Sequence, residues 1–404
     1  MSDDEKPARP LDGVRVIDTA TFIAAPFCAT LLAEFGAEVI KVELPKVGDP
    51  LRNFGTPTDC GETLVWLSEA RNKKSVTLDL RTPDGADLFK RLVAEADVVC
   101  ENFQTGTLEG WGLGYDVLSE VNPGLVMLRV TGYGQTGPYA GRPGFGRIAN
   151  AFGGLAFLAG YPDRPPVTPG SATLPDYMSG LFGAFGVLLA LRAREKTGRG
   201  QMIDIGLYES IFRVLDELAP VYDQTGFVRQ RMGPGTVNSV PHSHYQTGDG
   251  RWIAIACTSD KIFARLAGLM GVAEVAGEGR FGTIGQRSAA REAVDAMVQE
   301  WTGGLTRDEI LQLCDEAQVP CGPVYAIDEI FEDPQFQARG NIAEIEDARL
   351  GRLRVPNVMP RLSQTPGGID NLGVGLGAHV AEIFGGLLGL DEADIEALRK
   401  KGVI

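Results

Sequence analysis

Residues 13–43 read GVRVIDTATFIAAPFCATLLAEFGAEVIKVE. GVRVID (13–18) and AEVIKVE (37–43) are short β-branched runs, and AAPFCATLLAEFG (24–36) between them is a helix-length apolar segment closed by Gly36. A strand, a helix and a second strand joined this tightly form a βαβ unit, whose two strands must run parallel. The alternation continues with a strand at KSVTLDL (74–80). Thr82 then caps a helix with Pro83 at its first position and Leu88, Phe89, Leu92 and Val93 as its buried stripe. DVVCENF (97–103), a short helix near 115–120 and LVMLRVTGYG (125–134) complete the run. The spacing predicts an α/β fold with a doubly wound, Rossmann-like parallel sheet.

Such sheets bind ligands beyond the carboxyl ends of their strands. The polar and glycine-rich stretches TATFIAAP, ENFQTG and TGYGQTGP fall there. Dinucleotide chemistry fits poorly, because the first strand–helix turn, DTATFIAAP, lacks G-x-G-x-x-G, and no P-loop lysine motif appears. Glu43, at the end of the second strand, is alone as a candidate ribose-binding acid.

The middle of the chain changes character. YQT and RWIAIAC flank GDG as a hairpin. Helices are predicted at about 259–270, 286–302 and 306–317, the last opened by a Thr306/Glu309 capping box. This gives three segments: 1–219 in a large domain, 220–330 as a smaller α+β domain, and 331–404 returning to the large one. The return is inferred from the tail, GLGAHVAEIFGGLLGLDEADIEALRKKGVI, whose two helices have apolar faces in need of a partner.

Composition narrows the function. Hydrophobic residues make up 44% of the 404, enough for a sizeable core. The net charge of −15 is spread along the chain, which argues against nucleic acid and anionic membranes as partners. Cys28, Cys60, Cys100, Cys257, Cys314 and Cys321 are scattered without a C-x-x-C and read as reduced thiols. The first residues, MSDDEKPARP, lack the apolar stretch of a signal peptide, so cytoplasm is the expected compartment. Of the three histidines, His242 and His244 form an H-x-H pair with no cysteine or carboxylate at ligand spacing. No metal site is expected there, and no G-x-S-x-G elbow supports a Ser-His-Asp triad.

Residues 173–186, TLPDYMSGLFGAFG, pose the chemical question. Leu181 to Leu191 carries no polar side chain, so the helix is expected to be buried all round, and the run is too short to span a bilayer. Gly180, Gly183 and Gly186 form a smooth face for a close approach of backbone or ligand, and Lys196, Gly198 and Arg199 mark the C-terminus. Asp176 stands at the entrance. One reading makes it the N-cap. The other makes it a nucleophile, kept ionised by the helix N-terminus and able to form covalent acyl intermediates.

Taken in order, LDGVRVID, AAPFCATLLAEFGAEVIKVE, RNKKSVTLDL, ADVVCENF, VTGYGQTGP, the Asp176 segment through KTGRGQ, VPCGPV, DPQFQARG and LGAHVAEI resemble the family III CoA-transferases. That group includes the formyl-CoA and carnitine CoA-transferases, and the resemblance runs nearly the whole length. It implies that Asp176 is the nucleophile, working through aspartyl anhydride and aspartyl-CoA thioester intermediates. It also implies CoA binding by Ala24, Asn72, Lys74, Arg81, Asn102, Phe103 and Phe145, with CoA thioesters as substrates and no permanently bound cofactor. Its members form interlocked homodimers, each large domain being built from both ends of its chain; whether a related second subunit is required stays open.

The chain departs from the family pattern in places. Many relatives have Gly-Tyr-Asp where Gly144, Phe145 and Gly146 stand, and Leu44 replaces a basic residue seen in some. The segment QTGTLEGWGLG lacks the arginine that often precedes Gly-Leu-Gly. Acyl-CoA racemases share the fold and are the alternative, but racemase relatives place a histidine at the position of Phe145, which cannot move a proton. TATFIAAPFCATLLAEFGAEVIKVE, WLSEARNK and RPGFGRIA most resemble the members that transfer CoA from succinyl-CoA to L-malate or citramalate. A second substrate carboxylate needs a cation, and Arg142 and Arg147 are the candidates by position. A CoA-transferase for another acid is the alternative on this point.

Overall fold

A computed structural model of the chain describes residues 8–168, 173–277 and 280–404. Its contacts divide into two compact units. The first comprises Met1–Leu155, Pro169–Pro220 and Ala338–Ile404. The second comprises Ala156–Thr168 and Val221–Gln337, so its first segment falls within what the sequence reading assigned to the large domain.

The first unit is organised by a six-stranded sheet of β1 (Arg15–Asp18), β2 (Glu38–Glu43), β3 (Lys73–Thr77), β4 (Val98–Glu101), β5 (Val126–Thr131) and β6 (Met202–Gly206). The order is β3-β2-β1-β4-β5-β6, with every pair parallel. Alternation along each strand feeds two layers. Val16, Val39, Val98, Val126 and Leu128 face the helices Ala24–Glu34 and Leu174–Thr197. Ile17, Ile40, Val76, Val99 and Met127 face the helices Pro83–Ala94 and Tyr115–Val121 and the C-terminal segment. A parallel sheet covered on both faces needs apolar residues at odd and even positions alike, as these short runs supply. Chain direction away from β1 reverses between β2 and β4. That switch point opens a crevice at the carboxyl ends.

The C-terminal segment completes the second layer. Val380, Ile383, Phe384, Ile395 and Val403 pack with Leu88 and Phe89, and Asp79 N donates to Val403 O at 2.8 Å. Its first helical stretch, Ala381–Leu387, is a π-helix. An antiparallel hairpin, β10 (Ile342–Asp347) with β11 (Gly351–Pro356), lies in the same unit and was not anticipated.

The long helix Leu174–Thr197 departs from expectation in two ways. It has 24 residues, and by length and composition alone it could cross a membrane, unlike the shorter apolar run read from the sequence. It is also buried on one face only: Leu181, Phe185, Leu188 and Leu189 are 45–59% exposed. The buried face carries the glycines, and there the neighbours are protein groups, backbone at Gly180 and side chain at Gly183. A Cβ at Gly180 would lie 2.6 Å from the carbonyl oxygen of Ala24, and one at Gly183 would lie 2.7 Å from Leu128.

The second unit holds β7 (His242–Gln246), β8 (Trp252–Ala256) and β9 (Cys321–Pro323) as an antiparallel sheet. The GDG hairpin and the Thr306/Glu309 capping box form as predicted. The single helix expected over 286–302 is two, Ile284–Ala289 and Arg291–Gly303, broken at Ala290. Fully buried Arg287 sits at that break, donating to the carbonyls of Val240 (2.7 Å) and Phe281 (2.9 Å) and to Asp260 (2.8 Å).

Candidate active site

The loops leaving β1, β4 and β5 enclose a cavity of about 320 Å³ at the carboxyl ends of the sheet. Thr21, Phe22 and Ala24 line it from the first loop, Asn102 and Phe103 from the second, and Arg142 and Phe145 from the third. Asp176 lines it from the long helix. Two glycines let the third loop fold back on its strand: a Cβ at Gly132 would lie 2.7 Å from the Cα of Gly144. The same loop is tied to β6 by the Gln135 backbone N–H, which donates to both Asp204 oxygens at 3.0 Å.

Asp176 is not the N-cap. The helix begins at Leu174, with Thr173 as N-cap and Pro175 second, so Asp176 is its third residue. Its Oδ2 accepts a short hydrogen bond from the Thr173 hydroxyl and lies against Gly146, where any Cβ would collide with it. Burial pushes the Asp176 carboxyl above the ordinary carboxylate range, and the Thr173 hydroxyl only partly offsets this. Desolvation is the larger cause, and it disfavours the charged form.

The other predicted residues divide by location. Asn102 lines the cavity, but its amide is engaged: Oδ1 accepts from Thr21 N (2.8 Å) and Nδ2 donates to Thr21 O (2.7 Å). Phe103 packs edge-on against Trp111 at 5.2 Å and also lines a neighbouring cavity of about 340 Å³. That second cavity, at the ends of β1–β3, contains Leu44 and Arg81. Arg81 is exposed and makes a two-pronged pair with Asp79 at 2.7 and 2.8 Å.

Asn72 and Lys74 are not brought to either cavity. They stand at the amino end of the sheet, Asn72 just before β3 and Lys74 as its second residue. There Lys74 Nζ bridges Glu38 (2.6 Å) and Glu382 (2.7 Å). Asn72 Nδ2 donates to Gly368 O (2.8 Å), and its Oδ1 accepts from Asp370 N (2.7 Å).

Of the two candidate arginines, Arg142 lines the Asp176 cavity, its guanidinium 3.7 Å from the centre of the Tyr139 ring. Its loop is pinned by Gln104 Nε2, which donates to Gly141 O at 2.6 Å. Arg147 lies on the helix Gly146–Phe152, exposed, and does not line the cavity.

A buried charge cluster underlies the first loop, and of its members sequence reasoning passed over all but Lys73. Asp18, Lys41, Asp49 and Lys73 are all at most 3% exposed. Lys41 Nζ is 2.8 Å from Asp49 and 3.5 Å from Asp18, and Lys73 Nζ is 2.9 Å from Asp18. Burial opposes charge on Asp18, yet Lys41 and Lys73 outweigh it and hold its carboxyl below the usual range. The signal was present as charged residues inside apolar strands, VIKVE and RVID, where an ion must find a partner.

Comparison with known proteins accords with this geometry. The model of CoA-transferase family III matches residues 11–380. The succinyl-CoA–L-malate CoA-transferase beta subunit of Chloroflexus aurantiacus is 56% identical over 397 residues, 98% of each chain. The succinyl-CoA–D-citramalate CoA-transferase of the same organism is 47% identical over 400 residues, 99% of each chain. Among solved structures, a CAIB/BAIF family protein from Brucella suis superposes with a TM-score of 0.83 at 36% identity, covering 94% of this chain and 100% of that one.

Proposed function

The chain belongs to CoA-transferase family III, and from that premise we propose that it transfers CoA from succinyl-CoA to a hydroxy dicarboxylate such as L-malate or citramalate. Asp176 attacks the thioester carbonyl, the C–S bond breaks, and an aspartyl–succinyl anhydride and CoA thiolate result. The thiolate attacks the aspartyl carbonyl, releasing succinate and leaving an aspartyl-CoA thioester. The acceptor carboxylate displaces CoA to give a second anhydride. CoA thiolate then attacks the acceptor's acyl carbon, and Asp176 leaves as a carboxylate. Each step exchanges one activated acyl for another of similar energy. The two arms of the acceptor are read by two residues: its reacting carboxylate meets Asp176, and its distal carboxylate meets the planar fork of Arg142.

The observation that carries this reading is the placement of a desolvated aspartate and an arginine in one cavity at the sheet's switch point. Phe145 is hydrocarbon, and among the described residues no histidine lines the cavity, which weighs against a racemase. The test is a panel of carboxylates incubated with succinyl-CoA, with the product CoA esters identified by mass. Hydroxy dicarboxylates are expected to give the highest kcat/KM; preference for a monocarboxylate overturns the substrate assignment and leaves the transferase chemistry standing.

The apolar outer face of the long helix, with Leu181, Phe185, Leu188 and Leu189 exposed, supports assembly with a second chain. We propose an interlocked dimer in the cytoplasm. One relative is named as a beta subunit, so a related chain is a second candidate partner beside an identical one. Sedimentation of the purified chain is expected near twice 43.2 kDa; an active monomer overturns the dimer.

A further inference from the structure

Among the described residues Phe22 is one of five non-glycine residues with a left-handed backbone, at φ 62°. For a bulky side chain that conformation is unfavourable and persists only where its surroundings impose it. Here each residue of the turn is tied down by a side chain from elsewhere. Ala20 O accepts from Lys41 Nζ, and Ala20 N donates to Asp18 (3.1 Å). Thr21 is held at both its N–H and its carbonyl by Asn102. The Phe22 N–H donates to Asp49 Oδ1 at 3.0 Å. Asp49 is itself fixed, 2% exposed, with its N–H on Glu43 (2.9 Å) and Lys41 Nζ 2.8 Å from its Oδ2.

The conformation directs an aromatic ring. Phe22 meets Phe145 edge-on, with centroids 6.5 Å apart and planes at 90°, and meets Phe54 the same way at 6.1 Å. Phe22, Phe145 and Asp176 line one cavity, and Phe145 directly precedes Gly146, against which Asp176 rests. A relaxed turn would carry the Phe22 ring away from Phe145. The same Asp49 Oδ1 also accepts from the Leu51 N–H at 2.9 Å and so caps the short helix Pro50–Asn53; of the contacts the turn gives the Phe22 ring, the one with Phe145 bears on the cavity.

We propose that Asp49 is a positioning residue, acting with Lys41 to hold Phe22 in its left-handed turn so that the half-buried Phe22 ring, with the 68%-exposed Phe145 ring against it, limits the access of water to acylated Asp176. The inference rests on the covalent chemistry proposed above. Its reason is chemical. An anhydride on Asp176 is open to water as well as to thiolate. Water adding to the succinyl carbon breaks the C–O bond to Asp176, regenerates the carboxylate and releases succinate, and CoA departs as free thiol. Transfer is productive only where that leak is slow.

The experiment measures, on the full chain, the ratio of succinyl-CoA hydrolysed to CoA transferred. Free thiol and product ester are quantified together with malate as acceptor. Phe22→Gly removes the ring and relieves the strained backbone. It is expected to raise the hydrolysis-to-transfer ratio at least about tenfold without lowering the melting temperature. Asp49→Asn is expected to raise the ratio in the same direction, and Phe22→Leu, which restores apolar bulk, to return it part-way. Adding Asp176→Asn to Phe22→Gly is expected to abolish the leak, because the leak passes through Asp176. An unchanged ratio in Phe22→Gly overturns the proposal, and so does a leak that survives Asp176→Asn. Failure of the underlying chemistry shows separately, as wild-type transfer that persists in the Asp176→Asn single variant.

Discussion

The amino end of the central sheet and the Asp176 cavity at its carboxyl end both gather charged and polar side chains, and they treat them oppositely. At the amino end every one named here is matched. Lys74 has two carboxylates, Arg9 has a two-pronged contact with Asp370 (2.7 and 2.9 Å), and the Asn72 amide is used on both sides. At the carboxyl end Asp176 is buried with a hydroxyl as its partner, and Arg142 rests on an aromatic face rather than on a carboxylate. Matched charge closes a fold; under the proposed function, the charges left without an opposite in the cavity are the ones that meet the substrate. The same contrast separates Lys41 and Lys73, committed beneath the cavity, from Arg142 at its wall.

The sharpest way to break this contrast is to neutralise the unmatched acid. Asp176→Asn is expected to lower kcat by at least about 10³-fold, since the amide is a poor nucleophile. It should also reveal the sign of the burial effect. The folded protein holds the Asp176 proton more tightly than the unfolded chain does, because burial raises its pKa. Wild-type stability from this group is therefore full in acid and falls as pH rises through the folded pKa. In denaturant melts across pH, the Asp176→Asn variant should gain in stability on wild type as pH rises and converge with it in acid. The opposite trend refutes the assignment of desolvation as the dominant cause. Gly146→Ala comes next. Its methyl group occupies the space of Asp176 Oδ2, and displacing a nucleophile by about 1 Å costs on the order of 10²-fold in rate. Steady-state kcat with an unchanged far-ultraviolet spectrum checks it.

How far the sequence foretold these regions follows the same division. The strands were legible because β-branched runs fully buried in a parallel sheet have few alternatives, and the Thr82 and Thr306 caps were legible because capping is local chemistry. Asp176 could be singled out as an acid before an apolar helix. Its place as third helical residue, its burial and its contact with Gly146 depend on loops distant in sequence. Asn72 and Lys74 illustrate the other limit. A family motif beside a strand does not announce which end of the sheet it joins; the parallel register with β2 decides that, pairing Val39 with Lys73. The outward face of the long helix was unreadable because exposed and buried leucines look alike in one dimension. The β10–β11 hairpin did leave a signal, since IAEIED alternates apolar and acidic residues before the turn at residues 348–350.

Arg142 offers a milder test of the carboxyl end. Arg142→Leu is expected to raise KM for malate or citramalate about tenfold or more, equivalent to roughly 1.4 kcal/mol, with kcat nearly unchanged. Monocarboxylate acceptors should be affected much less, because they present nothing to the guanidinium. Arg147→Leu, outside the cavity, is expected to leave both KM values within about twofold. Equal losses on both acceptor classes for Arg142→Leu would assign the arginine a role in shaping the loop instead of in reading the substrate.

The smallest effect belongs to the amino end, and it tests the other half of the contrast. Lys74→Met keeps the aliphatic stem but releases Glu38 and Glu382 from their shared cation. All three side chains are partly open to solvent, at 32%, 31% and 53%, so the pair is screened and its loss should cost no more than about 1 kcal/mol. Because Lys74 stands at the opposite end of β3 from both cavities, KM for succinyl-CoA is expected to stay within about twofold of wild type. The stability loss should diminish in high salt, as screening already weakens the wild-type pairs. A tenfold rise in KM for succinyl-CoA, with the melting temperature unchanged, would return Lys74 to the CoA site that the resemblance assigned it and would erase the distinction between the two ends of the sheet.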